Sequence, residues 1–439
     1  MNPVLGIASV LAALGILIPG VKALRTRGIV QPETSRKLVH LGMGIVCLTL
    51  PWIFNELWPV WVLAGLAVLI LSSLRCVPLL RRQIGGVLHD VNRASLGEIY
   101  FPLGVAVVFT LSGGDRLTFV IPVALLTFAD AAGALVGKRW GRHRFTTLEG
   151  QKSVEGSLAV GAMGFVCSAG PLLLAHHDWR ASLLIGAAIG LFSLMLEAIS
   201  WHGLDNIFLP LAAYAQITVY LETPLESLAL KLVVLIGLTV VALGWRRGQI
   251  VDDTARLGAA LALYFFWAVG GWTWLVAPLV LLFSYVRLMP KIPGGVPQHN
   301  LIAIICVSSA GLVWCVAHAF APHVQWLGLF TVGITTHQAI IGIVRFSQGR
   351  PQWSRGMWWL VGVTQAVGLQ ALALYAVDRG RTVNGITLLA GAICVATAAA
   401  VFVVCERRLE EPEDLNLRWW KQGAAAVLAS SVGLLIARL

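Results

Sequence analysis

Charge is what this sequence has least of. Charged residues fill 12% of its 439 positions, against about 25% in an ordinary soluble domain. Acidic residues are scarcer than basic ones, 21 Asp and Glu against 32 Lys and Arg. Hydrophobic residues reach 58%. That balance excludes a soluble globular enzyme, a disordered chain and a nucleic-acid binder. The net charge of +11 does not reopen the last class, because the basic residues sit in short stretches between apolar runs. Cysteine pairing is also missing. The seven cysteines form no CxxC and fall mostly inside apolar runs, so they read as core filler rather than disulfides or metal ligands. No basic segment precedes the first apolar run and no small-residue cleavage site follows it. That run is therefore expected to be a helix, not a removed signal peptide. Finally, there is no GxxxxGK[ST] and no kinase glycine-rich strand motif, which excludes the common soluble nucleotide sites.

Long apolar runs are what is present. A spanning helix needs about 20 mostly apolar residues, and such runs recur from end to end. The alternating strands of a membrane barrel would not produce them. The sequence predicts an all-α polytopic transmembrane protein of about 16 helices. They lie near 4–23, 38–54, 57–74, 99–112, 117–137, 156–175, 182–199, 207–221, 230–245, 257–270, 272–286, 300–320, 326–344, 357–377, 385–405 and 422–437. With the N-terminus outside, alternating the loops puts 26 of the 32 Lys and Arg on one side. That is the bias that orients membrane proteins, and it marks the cytoplasmic side. The character of the loops changes near residue 245. A nine-helix part, 1–245, is followed by a seven-helix part, 246–439, to which no function is assigned. Abundant Ala, Val, Leu and Arg point to a bacterium, hence to its inner membrane.

In an apolar background, polar groups are expensive and mark function. Five clusters stand out, all before residue 210 and all on the predicted cytoplasmic side. Arg36, Lys37 and His40 open the second helix, with Arg36 and His40 on one helix face. His89 to Pro102 contains Arg93, Glu98 and Tyr100. The third cluster runs from Thr127 to Arg142. Its Asp130, Gly133, Ala134 and Gly137 recur on one face, and Lys138, Arg139, Arg142 and Arg144 follow. A lone Asp in such a helix costs a few kcal/mol without a partner. Small residues beside it would admit another helix, or bring a phosphate or a metal to the backbone. The fourth cluster, Gln151 to Ala159, places Lys152, Ser153 and Glu155 at a helix start, where phosphate is favoured; simple capping is the plain alternative. The fifth, Glu197 to Asn206, carries Glu197 and Asp205 but no Lys or Arg. Asp130, Glu155, Glu197 and Asp205 supply oxygen ligands for Mg²⁺. The basic residues would neutralise phosphate.

Asp130-Ala131-Ala132-Gly133-Ala134-Leu135-Val136-Gly137 and Lys152-Ser153-Val154-Glu155-Gly156-Ser157 resemble the polyprenol kinase family. That family includes dolichol, phytol and farnesol kinases and is distantly related to phosphatidate cytidylyltransferases. Arg36-Lys37-Leu38-Val39-His40, Gly97 to Gly104, Glu197 to Ser200 and Gly203-Leu204-Asp205-Asn206 look like its phytol-kinase branch. The resemblance spans residues 1 to about 240. It implies phosphorylation of a long isoprenoid alcohol from CTP, with Mg²⁺, at the cytoplasmic face. It implies metal ligands among Asp130, Glu155, Glu197 and Asp205. Gly133, Gly137, Lys138, Arg139, Arg142, Lys152, Ser153, Arg36, Lys37 and Asn206 would bind nucleotide and phosphate, and Glu98 or His40 would take the alcohol proton. The partners implied are membrane lipid and CTP, with no nucleic acid and room for a homo-oligomer. The longer cytidylyltransferase ending (Lys-Asp, then His-Gly-Gly and a further Asp pair) is absent. That favours phosphate transfer over CMP transfer. A CDP-lipid synthase and a transporter stand as the alternatives.

Overall fold

The computed structural model describes residues 2–76, 96–147, 150–199, 203–244, 253–290, 300–323, 325–378, 385–406, 408–409 and 414–436. The chain forms two compact units, Met1–Gly237 and Leu238–Leu439. The first holds α1 (Pro3–Thr26), α2 (Pro32–Leu48), a short α3 (Leu50–Ile53), α4 (Trp58–Cys76), α5 (Gly97–Ser112), α6 (Arg116–Ala124), a π-helical turn (Leu125–Ala129) and α7 (Asp130–Trp140). A two-stranded hairpin follows, β1 (Arg144–Thr147) and β2 (Gly150–Ser153), then α8 (Val154–Leu174), α9 (Trp179–Ala198), α10 (Asp205–Leu221) and α11 (Leu225–Gly244). The division between units falls inside α11.

Each of the sixteen expected segments has a helical counterpart. Among the described residues, nine helices are long and apolar enough to cross a membrane by length and composition, and four further apolar helices are shorter. Two differences bear on the site. Pro32 starts α2 six residues before the expected 38, because proline suits the first helical turn. Arg36 and Lys37, expected to open the helix, thus lie inside it. The segment 141–153, expected to be loop, contains the hairpin. Arg144 pairs with Ser153, Phe145 with Lys152, Thr146 with Gln151 and Thr147 with Gly150. Phe and Thr favour strands, and Gly150 takes φ +128°, which glycine alone tolerates well. The chain is predominantly helical, and this short hairpin is the one sheet among the described residues.

Small residues set the close approaches. A Cβ on Gly190 of α9 would lie 2.7 Å from the Gly161 carbonyl and 2.9 Å from the Phe165 nitrogen, both on α8. Gly190→Ala is expected to push those backbones apart and destabilise the unit by about 1–3 kcal/mol, read as a lower Tm in detergent. An unchanged Tm would contradict this packing. A Cβ on Gly156 would similarly meet the Gly133 carbonyl at 2.9 Å, so α8 begins directly against α7. Fully buried Phe119, Ile121, Leu125, Leu126, Ile189 and Ile217 lie in this unit's core.

The second unit contains α12 (Asp253–Gly270), a 3₁₀ turn (Trp272–Leu275), α13 (Val276–Arg287), α14 (Leu301–Phe320), α15 (Gln325–Gly349), α16 (Arg355–Asp378), α17 (Gly385–Cys405) and α18 (Leu415–Ile436). Its core includes Ile340, Ile343, Phe346, Val395 and Phe402. Gln338 is buried here, accepting from Gln370 Nε2 at 2.7 Å. The acidic stretch after 405, set among basic residues, reads from sequence as a solvated ion-pair surface. Glu406 is instead buried, 2.8 Å from Lys421 and 3.6 Å from Arg418. Glu410, Glu411 and Glu413 lie outside the described residues.

Candidate active site

Three carboxylates converge from three places in the fold. Asp130 is the first residue of α7, directly after the π turn. Glu197 stands near the end of α9, and Asp205 opens α10. One ligand atom from each lies within 4.8 Å of the others, and all three residues are half-buried. Hard cations take oxygen donors of this kind, so the set fits Mg²⁺.

Two lysines already engage the trio. Lys37 Nζ, carried in by α2, lies 2.8 Å from Asp130 Oδ1 and 2.6 Å from Oδ2. Lys152 Nζ, delivered by β2, lies 2.8 Å from Glu197 Oε1 and also donates to the Glu197 carbonyl. His40, one turn beyond Arg36 on α2, has Nε2 3.5 Å from Asp130 Oδ2 and 3.0 Å from the Leu126 carbonyl. Leu126 belongs to the π turn, a feature that often marks functional sites. Phe101 of α5 meets the His40 ring edge-on at 4.9 Å. Burial, together with the nearby Glu197 and Asp130 carboxylates, pushes the Asp205 carboxyl up to about 7, while Lys152 and Lys37 pull it back. A carboxyl so raised is partly protonated near neutral pH and would release its proton to solvent on ligating a cation.

The chain has relatives in sequence. A model of the Cytidylyltransferase family matches residues 4–203. A phytol kinase of Synechocystis sp. is 30% identical over 202 residues, which cover 46% of this chain and 84% of that protein. The chain belongs to a polyprenol/phytol kinase-like family. A probable chloroplastic phytol kinase of Triticum aestivum is 25% identical over 220 residues, covering 45% of this chain and 70% of its own length. A probable phytol kinase 1 of Glycine max is 27% identical over 232 residues, covering 46% and 74%. No solved structure matches the chain. Membership makes this phytol kinase-like protein a transferase of the kinase type. Asp130 and Glu197 fall inside the family match, and Asp205 lies two residues past its end.

Several residues of the kinase-like chain sit differently from the expectation. Glu155, expected among the metal ligands, is not one of the converging carboxylates. Its oxygens accept from the Arg142 nitrogen at 3.1 Å, the His143 nitrogen at 3.2 Å and His143 Nδ1 at 2.7 Å. It closes the base of the hairpin that presents Lys152. Gly133 and Gly137 face the start of α8, with Val160, Gly156 and Ser153 against them. Ser153 caps α8, accepting from the Gly156 nitrogen at 3.1 Å. Lys138 is exposed and donates to Gln31 Oε1 at 2.8 Å. Arg139 is exposed and lies over the Trp140 ring. Arg142 is exposed too, its backbone nitrogen held by Glu155. Asn206 is buried, and its carbonyl closely abuts Gly104 of α5. Glu98 lies in the first turn of α5, and Arg93 falls outside the described residues. The His143 anchor and the Leu126 carbonyl were not legible beforehand. The only local signal for the π turn is Pro122, which interrupts α6.

Glu155→Gln is therefore expected to loosen the hairpin and weaken nucleotide binding while leaving Mn²⁺ binding within about threefold of wild type. Mn²⁺ titration followed by electron paramagnetic resonance checks it. Abolished Mn²⁺ binding would return Glu155 to the metal ligands.

Proposed function

We propose that this chain is a CTP-dependent kinase that phosphorylates a long-chain isoprenoid alcohol of the phytol, farnesol or polyprenol type. The reaction takes place at the cytoplasmic face of a bacterial inner membrane, in a chain of about sixteen spans with its N-terminus outside. The observation that carries this reading is the trio Asp130, Glu197 and Asp205, within 4.8 Å and flanked by Lys37 and Lys152. Phosphoryl transfer asks a protein mainly for positioning and for charge neutralisation, and this set is suited to both. Mg²⁺ held by the trio would offset the charge of the triphosphate. Lys37 and Lys152, with Arg36 nearby on α2, bind its oxygens. Arg139 and Arg142 at the open rim attract it. The alcohol lies with its chain in lipid and its hydroxyl at the interface. Its oxygen bonds to the γ-phosphorus as the bond to the bridging oxygen of CDP breaks, and its proton passes to His40 or Glu98.

The match to the cytidylyltransferase model makes a CDP-lipid synthase the second reading. Purified protein, Mg²⁺ and γ-labelled CTP, tested against phytol, farnesol, geranylgeraniol, a polyprenol and phosphatidic acid, separates the two. Label in an isoprenyl phosphate is expected. No label in any alcohol would end the kinase reading.

A further inference from the structure

We propose that Lys37 and Lys152 hold the place of the divalent cation in the free protein, and move onto the triphosphate when the cation arrives. This rests on the reading of Asp130, Glu197 and Asp205 as ligands of that cation. Each ammonium is bonded to a different member of the trio, Lys37 to Asp130 at 2.6 Å and Lys152 to Glu197 at 2.8 Å. They come from separate elements, α2 and β2, so neither pairing follows from the other. The carboxylate oxygens that would ligate a cation lie within 4.8 Å of one another. A dication between them competes directly with both ammoniums for the same oxygens. Beside Asp205, the buried Asn206 keeps an Oδ1 with no hydrogen-bond partner among the described residues, while its Nδ2 donates to the Gly203 carbonyl at 3.1 Å. That leaves an unused buried oxygen on the residue that follows Asp205.

Charge decides how the exchange proceeds. Two ammoniums against three carboxylates offset all but one of the negative charges. A cation arriving alone would strand two ammoniums, one of them on the buried Lys37, and unpaired buried charge is strongly unfavourable. A triphosphate arriving alone would meet lysines already committed to carboxylates. Arriving together, the cation takes the carboxylates and the triphosphate takes the lysines, so every charge keeps a partner. A lysine ammonium on a flexible four-carbon stem suits such a change of partner better than a rigid guanidinium. Cation and triphosphate therefore load as a unit, and lone cation is held off.

The test uses the full chain in detergent and Mn²⁺ as the probe, read by electron paramagnetic resonance with and without CTP. Lys37→Gln and Lys152→Gln are compared with wild type. Each variant is expected to bind Mn²⁺ in the absence of CTP at least about tenfold tighter than wild type, because a competitor has been removed. The gain in Mn²⁺ affinity that CTP provides should shrink by a similar factor. The Lys152 pair is half-exposed, so Lys152→Gln keeps the test open if Lys37→Gln does not fold. Wild type binding Mn²⁺ with CTP while neither variant binds lone Mn²⁺ more tightly would overturn the exchange and leave the kinase centre standing. Wild type binding no Mn²⁺ under either condition would overturn the centre and the exchange with it.

Discussion

Asp130→Asn loses at least about 100-fold in transfer of phosphate to the alcohol while the protein keeps its fold. The substitution removes one negative charge and almost no volume. Asn retains an oxygen acceptor for Lys37 Nζ, which now lies 2.6 Å from Asp130 Oδ2. The small-residue contact of α7 with α8 is untouched, since it runs through Gly133, Gly137 and Gly156. The loss should therefore fall on chemistry and on cation affinity, and not on assembly. Product formation and Tm are measured on the same preparation. Wild-type turnover in the variant would remove Asp130 from the centre. A collapse of Tm would instead make it a structural ion pair.

The second large effect comes from the cation. Chelation by EDTA takes transfer to background, and added Mg²⁺ or Mn²⁺ restores it. The affinity for the cation also depends on pH with a definite sign. Asp205 titrates at about 7 because burial and the nearby Glu197 and Asp130 disfavour its charge. A carboxyl must lose its proton to ligate a metal, so binding releases a proton from Asp205. Below about pH 7, the apparent affinity should fall by about tenfold per pH unit; above it, the dependence should level off. Mg²⁺ titrations of turnover at about pH 6 and about pH 8 read this directly. Asp205→Asn, assayed for Mn²⁺ binding, should flatten the dependence along with weakening the binding. An affinity that rises as pH falls would contradict the arrangement.

Much of the site could be found in the sequence because polar groups are rare in this chain. Asp130, Glu197 and Asp205 stand out against apolar runs, and the fold brings these three together. Lys37 and Lys152 were legible as cations near the site, but not as partners of particular carboxylates. Pairing across 93 residues, for Lys37 and Asp130, is fixed by helix packing and leaves no local trace. The place of Glu155, outside the converging trio, is hidden for a related reason. Three residues after Lys152, Glu155 sits in the first turn of α8, where the backbone nitrogens of Arg142 and His143 donate to it. The glycines Gly133 and Gly137 fit both a phosphate and a helix in sequence terms. The structure shows the helix contact, with the start of α8 against both glycines. The hairpin escaped notice because four-residue strands carry almost no periodic signal.

The most direct measurement follows both ends of the nucleotide at once. CTP labelled with ³²P at the γ-phosphate and with ¹⁴C in the cytosine is incubated with Mg²⁺, phytol and either wild type or Asp130→Asn. The account predicts ³²P without ¹⁴C in an isoprenyl phosphate from wild type, and neither label in lipid from the variant. Cytosine label in a lipid, or equal transfer by the two proteins, would contradict it.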